Sequence, residues 1–187
     1  MPTTSLYEQV LADRYETLPP TVRRFHRLTG HHHLTGWVQT RAPATWLARL
    51  LARGLGSPRE TGEGALQFEL HAAIEGEVWT RHFPGRTMRS CLQLVGGRLQ
   101  ERLGLTQLTF QLEASTEALN MRLVHLKFLG LPCPRWLMPR IVAKETGLGE
   151  HLNFEVSAVV PGVGAVVYYC GYLQLPPQLS ATNSSPQ

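Results

Sequence analysis

Aspartate is almost missing from this chain: Asp13 is the only one. A Ser-His-Asp triad or an Asp-built magnesium site is therefore excluded in practice, because Asp13 falls in a predicted helix. Acid chemistry, if any, has to come from Glu. Lysine is also scarce. Only Lys127 and Lys144 occur, and the other 16 basic residues are Arg. Arginine offers a fixed fork of donors to carboxylates and phosphates. Here the arginines are scattered rather than massed, which argues against a nucleic-acid partner despite the net charge of +4. The three cysteines, Cys91, Cys133 and Cys170, form no Cys-x-x-Cys pair. Too few for a disulfide scaffold, they point to a cytoplasmic protein, with Cys91 and Cys170 expected to pack in apolar strands. No apolar run approaches the roughly 18 residues that span a bilayer. Met1 to Gln9 lacks the basic and apolar blocks of a signal peptide. Phosphate-loop, His-Glu-x-x-His and Gly-x-Ser-x-Gly motifs are absent. No metal or cofactor is expected.

What the chain has is alternation. Apolar residues recur at every second position along Leu66, Phe68, Leu70, Ala72 and Ile74. They do so again along Leu108, Phe110, Leu112 and Ala114, and along Leu152, Phe154, Val156 and Ala158. Period two places one strand face on a core and the other in water. Glu75-Gly76, Pro84-Gly85 and Gly96-Gly97 are turn signals between such runs. Turns this short join antiparallel neighbours, since a parallel crossover needs a dozen or more residues. Strands are predicted near 31–41, 86–95, 98–103, 106–114, 119–128, 140–146, 151–160 and 165–174, beside those opening the meander. Ser5-Leu6-Tyr7-Glu8 has the form of a capping box and predicts a helix that Pro19-Pro20 ends. A second short helix is predicted over Thr21 to Leu28. A third begins after Pro43, with Trp46, Leu47, Leu50 and Leu51 as an apolar face; Arg49 and Arg53 on its flank would suit contact with anionic lipid, but the helix is short and burial of that face against the sheet is the simpler expectation.

The fold class is thus α+β, mainly β: a strongly curled antiparallel meander of about nine or ten strands. So many strands curl into a barrel or half-barrel, with the short N-terminal helices covering one side. Residues 1–175 read as a single globular domain and 176–187, rich in Pro and Ser, as a disordered tail.

Barrels of this size enclose small ligands. The densest candidate stretch is Trp79-Thr80-Arg81-His82-Phe83. On a strand Trp79, Arg81 and Phe83 share a face, so Arg81 stacks between two rings and presents its donors to a polar or anionic head group. Arg89 lies one hairpin away and is a further candidate. His125 interrupts the run Leu119, Met121, Leu123, so an inward imidazole there is a candidate ligand contact. Tyr169, in the last strand, is the sixth candidate ligand-binding residue, and the neighbouring Gly171 leaves room for a ring, a ligand or a close backbone approach. The cluster His26, His31, His32 and His33 reads as a loosely basic surface rather than a metal site, because adjacent strand histidines point to opposite faces.

Several short motifs carry a resemblance in their order: Ser5-Leu6-Tyr7-Glu8, Leu18-Pro19-Pro20, Arg24-Phe25-His26, Trp79-Thr80-Arg81-His82-Phe83, Leu129-Gly130-Leu131-Pro132 and Tyr169-Cys170-Gly171-Tyr172-Leu173. Over about residues 5 to 175 the chain resembles a bacterial family known as domain of unknown function 4166. Members of that family are sometimes fused to reductase-like nucleotide-binding domains. The resemblance implies an auxiliary or ligand-binding domain near redox metabolism, with a reductase-like protein as a partner, and supplies no catalytic residue.

Three readings follow. The first is a non-enzymatic module holding a small amphipathic or anionic molecule inside the curled sheet. The second is an interaction domain for a reductase-type partner or for self-association, with an exposed apolar patch near Trp46 or Trp136. The third is an isomerase or hydrolase built on Glu and His. That one needs Glu69, Glu113 or Glu155 to face inward beside His125, and each lies on the polar phase of its strand.

Overall fold

The computed structural model describes residues 4–177. Ser5 starts the first helix, α1 (Leu6–Leu11), through a complete capping box. The Glu8 amide donates to the Ser5 hydroxyl at 3.2 Å, and the Ser5 amide donates to the Glu8 carboxylate at 2.8 Å. Instead of one long helix, the chain then tightens into a 3-10 turn over Ala12–Thr17. A second helix, α2 (Pro20–His26), opens with Pro at its first position, where a missing amide costs nothing. Tyr15 ties these pieces together by donating its hydroxyl proton to the Arg23 carbonyl at 2.7 Å.

The strands are β1 (Gly30–Thr40), β2 (Gly62–Ala73), β3 (Gly76–Phe83), β4 (Arg86–Val95), β5 (Arg98–Leu103), β6 (Thr106–Ala114) and β7 (Leu119–Phe128). After the two-residue β8 (Leu131–Pro132) come β9 (Arg140–Leu148), β10 (His151–Val160) and β11 (Gly164–Gln174). Each pairs antiparallel with its neighbours in the order β1-β2-β3-β4-β5-β6-β7-β9-β10-β11, and β11 returns to β1. The meander therefore closes as a ten-stranded barrel, with β8 a short flap hydrogen-bonded to β7. Among the described residues, closure leaves no free sheet edge along the ten-stranded wall.

The seam between first and last strand is tight. A side chain at Gly36 would meet the Tyr172 carbonyl at 1.9 Å, and one at Gly171 would meet the Trp37 carbonyl at 2.0 Å. Gly171 thus serves close backbone packing rather than space for a ligand.

Antiparallel turns alternate between two ends of the barrel. Helices α1 and α2 plug the end that holds the β2–β3, β4–β5, β6–β7 and β9–β10 turns. They bury Tyr7, Val22 and Phe25 there, with Leu18 from the link between them, and Thr21 donates to the Gly149 carbonyl at 2.6 Å. The third helix, α3 (Trp46–Gly54), lies across the opposite end. Thr45 caps it by accepting from the Ala48 amide at 3.1 Å and donates to the Val163 carbonyl at 3.0 Å, which fastens the helix to the β10–β11 turn. Here the sequence expectation fails. The face of α3 that is buried is Ala48 and Ala52, while Trp46 stays 78% exposed and Leu50 57%. Small residues let the helix lie close over the barrel, and its large apolar residues are left on the rim.

Cys91 also departs from expectation, being exposed, while Cys170 is half-buried. In β4 the inward phase is taken by Met88, Ser90 and Leu92, so Cys91 faces out. From residue 178 on, the tail expected over 176–187 lies outside the described residues.

Candidate functional site

The barrel is not packed solid. A cavity of about 690 Å³ runs from the helix-plugged end to the rim beneath α3. Its wall is mostly Leu, Phe, Val and Met, contributed by the inward phase of nearly every strand. Period-two alternation produces this directly: the residues that would fill a smaller barrel here line a lumen.

Four of the six residues singled out from sequence line that cavity: Trp79, Arg81, Phe83 and Tyr169. Phe83 and Tyr169 meet edge to face, with centroids 5.2 Å apart. Arg81 does not stack between Trp79 and Phe83 as expected from the strand: its guanidinium lies 5.0 Å from the Trp79 ring centroid and 5.9 Å from that of Phe68 on the neighbouring strand, while Phe83 is taken up by Tyr169. Arg81 is buried, yet among the described residues it donates one hydrogen bond, from Nη1 to the Ser90 hydroxyl at 3.1 Å. Its Nη2 is 3.8 Å from Glu101 Oε1, an ion pair too long for a hydrogen bond. A guanidinium has five N–H donors, so most of this one is unspent.

Arg89 and His125 face away from the cavity. Hairpin register sets Arg81 opposite Met88 and Thr80 opposite Arg89, so Arg89 shares the outward phase of Thr80. His125 is turned outward by a β-bulge. The pairing of β6 with β7 shifts between Thr109 and Phe110, so Leu123 and His125 on β7 no longer share a face. Leu126 then takes over the inward phase.

The closed end of the cavity holds polar groups that the alternation reading assigned to no site. Glu77, Glu101 and Glu145 all lie on inward phases. Glu77 accepts from the Trp79 indole N–H at 2.8 Å. Burial pushes the Glu77 carboxyl above its usual range and Glu145 adds to this, while His26 and the Trp79 hydrogen bond oppose it. Glu145 pairs with His26, whose Nε2 lies 2.6 Å from the Glu145 carboxylate, and both side chains are almost wholly buried. Tyr7 stacks on His26 with centroids 3.5 Å apart and seals it from the cavity. Its own ring lines the cavity floor. Burial, reinforced by Glu145, Glu77 and Glu101, pushes the Tyr7 hydroxyl far above its ordinary value, so it remains a proton donor. Among the described residues that hydroxyl has no hydrogen-bond partner.

His26 therefore belongs to this buried cluster and not to a basic surface. His31 stacks on exposed His71 at 3.9 Å instead. Among the described residues, no three His, Cys, Asp or Glu side chains come together in a way that could hold a metal ion. Glu69, Glu113 and Glu155 are exposed on the outer wall, far from the role that the acid–base reading required of them.

Chemically, the cavity is a long apolar chamber with one polar floor. Arg81 and Tyr7 supply donors, and Glu101 and Glu145 supply acceptors. No helix of the described residues is long and apolar enough to cross a membrane.

No curated protein matches this sequence. The crystal structure of Rv2717c from M. tuberculosis aligns with 86% of this chain and 99% of its own, at 8% identity and a TM-score of 0.46. A family profile described as a domain of unknown function matches residues 18–173, the stretch holding the whole barrel up to Leu173 of β11, and the chain belongs to that family, DUF4166.

Proposed function

We propose that this barrel binds a small amphipathic molecule, with the polar head at Arg81 on the closed floor and the apolar body along the lumen. One observation carries the reading: a cavity of about 690 Å³ whose wall is apolar and whose floor holds a buried arginine with unspent donors. Ligand sites are concave, mostly apolar, and fixed by a few convergent polar groups. A simple anion is a poorer fit. It would gain Arg81 but face Glu101 and Glu145 and leave the apolar wall unused. A head that accepts from Arg81 or Tyr7 and donates to Glu101, such as a hydroxyl or a carboxylic acid, satisfies both signs. Nothing in this reading calls for catalysis, because His26 is walled off behind Tyr7. A reductase-type partner rests on family resemblance alone.

The direct check is native mass spectrometry of the purified protein beside its denatured mass. A co-purified mass adduct that vanishes on denaturation is expected, with retention falling about tenfold or more in Arg81→Ala, the scale of one lost charge-assisted hydrogen bond. A bare polypeptide mass, together with no uptake of added alkyl alcohol or alkyl carboxylate, overturns the proposal.

A further inference from the structure

Exposed large apolar side chains gather at the end of the barrel that carries α3, whereas at the opposite end Ile74, Val95 and Leu148 stand singly at three turns. Large apolar side chains stand exposed on three separate segments around the cavity mouth. Trp46 and Leu50 come from α3, Leu105 from the β5–β6 turn, and Phe128, Leu131 and Trp136 from the β7–β9 connection, where Trp136 is 77% exposed. These segments are held beside one another. The Leu129 amide donates to the Leu105 carbonyl at 3.0 Å, and the Gly54 carbonyl at the end of α3 lies against Gly104 of the β5–β6 turn, where a side chain would meet it at 2.9 Å. Leu50, Leu105 and Phe128 line the cavity as well as the outside, so the patch is continuous with the lumen. An apolar surface of this kind marks a docking site.

Charge identifies what docks there. The same segments carry Arg49, Arg53, Arg86, Lys127, Arg135 and Arg140. No acidic residue occurs over 17–59, 84–86, 103–106 or 118–144, and the acids at this end are Glu60 and Glu63 at the start of β2. The opposite end mixes the two signs: Glu75, Glu113, Glu117 and Glu150 stand at its turns with Arg98, and Glu8, Asp13 and Glu16 on its helical segments are matched by Arg14, Arg23, Arg24 and Arg27, two of which pair with Glu8 and Glu16. A second copy meeting this patch face to face would bring like charges together. An anionic bilayer offers both things the rim lacks, an apolar phase for tryptophan and leucine and negative head groups for arginine.

We infer that the mouth of this barrel docks on an anionic lipid surface, inserting Trp46, Leu50 and Trp136 at the head-group level with the surrounding arginines on the phosphates. Docking of this kind opens the lumen toward the bilayer. That consequence for the cavity rests on the ligand-binding reading above; the docking itself does not.

Co-sedimentation with vesicles of phosphatidylglycerol and phosphatidylcholine, beside vesicles of phosphatidylcholine alone, tests the inference. The protein is expected to pellet with the anionic vesicles and to be released as salt rises. Arg49→Glu with Arg53→Glu should weaken that partitioning by about tenfold or more, since each basic group near the surface contributes a comparable factor. Trp46→Ser with Trp136→Ser should weaken it on both vesicle types. Both sites are exposed, so circular dichroism and melting should match wild type. Arg81→Ala should pellet like wild type, which separates docking from ligand binding. Equal pelleting by all rim variants, or none by wild type, overturns the inference. So does a stable dimer in light scattering that Trp46→Ser with Trp136→Ser dissociates, because a second copy would then own the patch.

Discussion

The two ends of this barrel are built from the same meander and solve opposite problems. At the helix-plugged end, buried polar groups are packed under α1 and α2: His26 on Glu145, Trp79 on Glu77, and Arg81 on Ser90. At the mouth, apolar groups stand in solvent while the helix over them buries only Ala48 and Ala52. Polar groups inside and apolar groups outside each cost stability. A chain that carries both, at opposite ends of one cavity, has its costly features where a ligand and a surface would meet them. Burial in this molecule follows the cavity and not a uniform inside–outside rule.

The largest effect should come from breaking the closed end. His26→Ala leaves the buried Glu145 carboxyl without its hydrogen-bond partner, and the loss expected from such an orphaned polar group is about 1–3 kcal/mol. Urea unfolding at neutral pH measures it. A loss below about 1 kcal/mol would mean that water reaches Glu145 and that the plug is loose.

A second variant sharpens the same end by its pH dependence. The folded-state pKa of Glu77 is raised, chiefly by burial. A raised acid binds its proton more tightly in the folded than the unfolded state. Its contribution to stability is therefore full below the ordinary carboxylate range and is lost as pH rises from there through the folded value. Glu77→Gln keeps an acceptor for Trp79 and cannot ionise. Its stability should exceed wild type at neutral pH and lack that decline, as read from chemical unfolding midpoints across pH. A wild-type curve that instead rises through the same window would show Glu77 to be held ionised.

The smallest effect should come from the mouth. Leu50→Ser removes an exposed apolar side chain, and its stability should stay within about 0.5 kcal/mol of wild type. A larger loss would mean that α3 is packed as a core element and not merely laid across the rim.

Much of the wall was legible in the chain. Alternation with Gly turns gave β4 to β7 and β10 their bounds, because each strand is one local run between two turn signals. Closure was not legible, since it depends on β7 pairing with β6 and β9 across the β8 flap. Trp79, Arg81, Phe83 and Tyr169 were readable because strand phase alone puts them on one face. Arg89 was misplaced because adjacency in sequence says nothing about phase, and His125 because one bulged residue reverses every side chain beyond it. Glu77, Glu101 and Glu145 were missed for a different reason. The alternation that names the inner face also names these three, on the phase of Trp79, Leu99 and Ala143. A rule that sends every charge outward overrides that signal. His26 and Tyr7 came from helices whose docking no local pattern specifies.

If the lumen is the proposed ligand chamber anchored at Arg81, Trp79 reports on it from within. Of the four tryptophans, Trp37, Trp46 and Trp136 are exposed and only Trp79 is buried. We would replace those three with Phe and titrate the remaining Trp79 emission with dodecanol and with dodecanoate, then repeat both titrations in Arg81→Ala. Saturable one-to-one changes are expected, weakening about tenfold or more without Arg81. Emission that never responds to either amphiphile, or that responds equally with and without Arg81, would contradict the proposal.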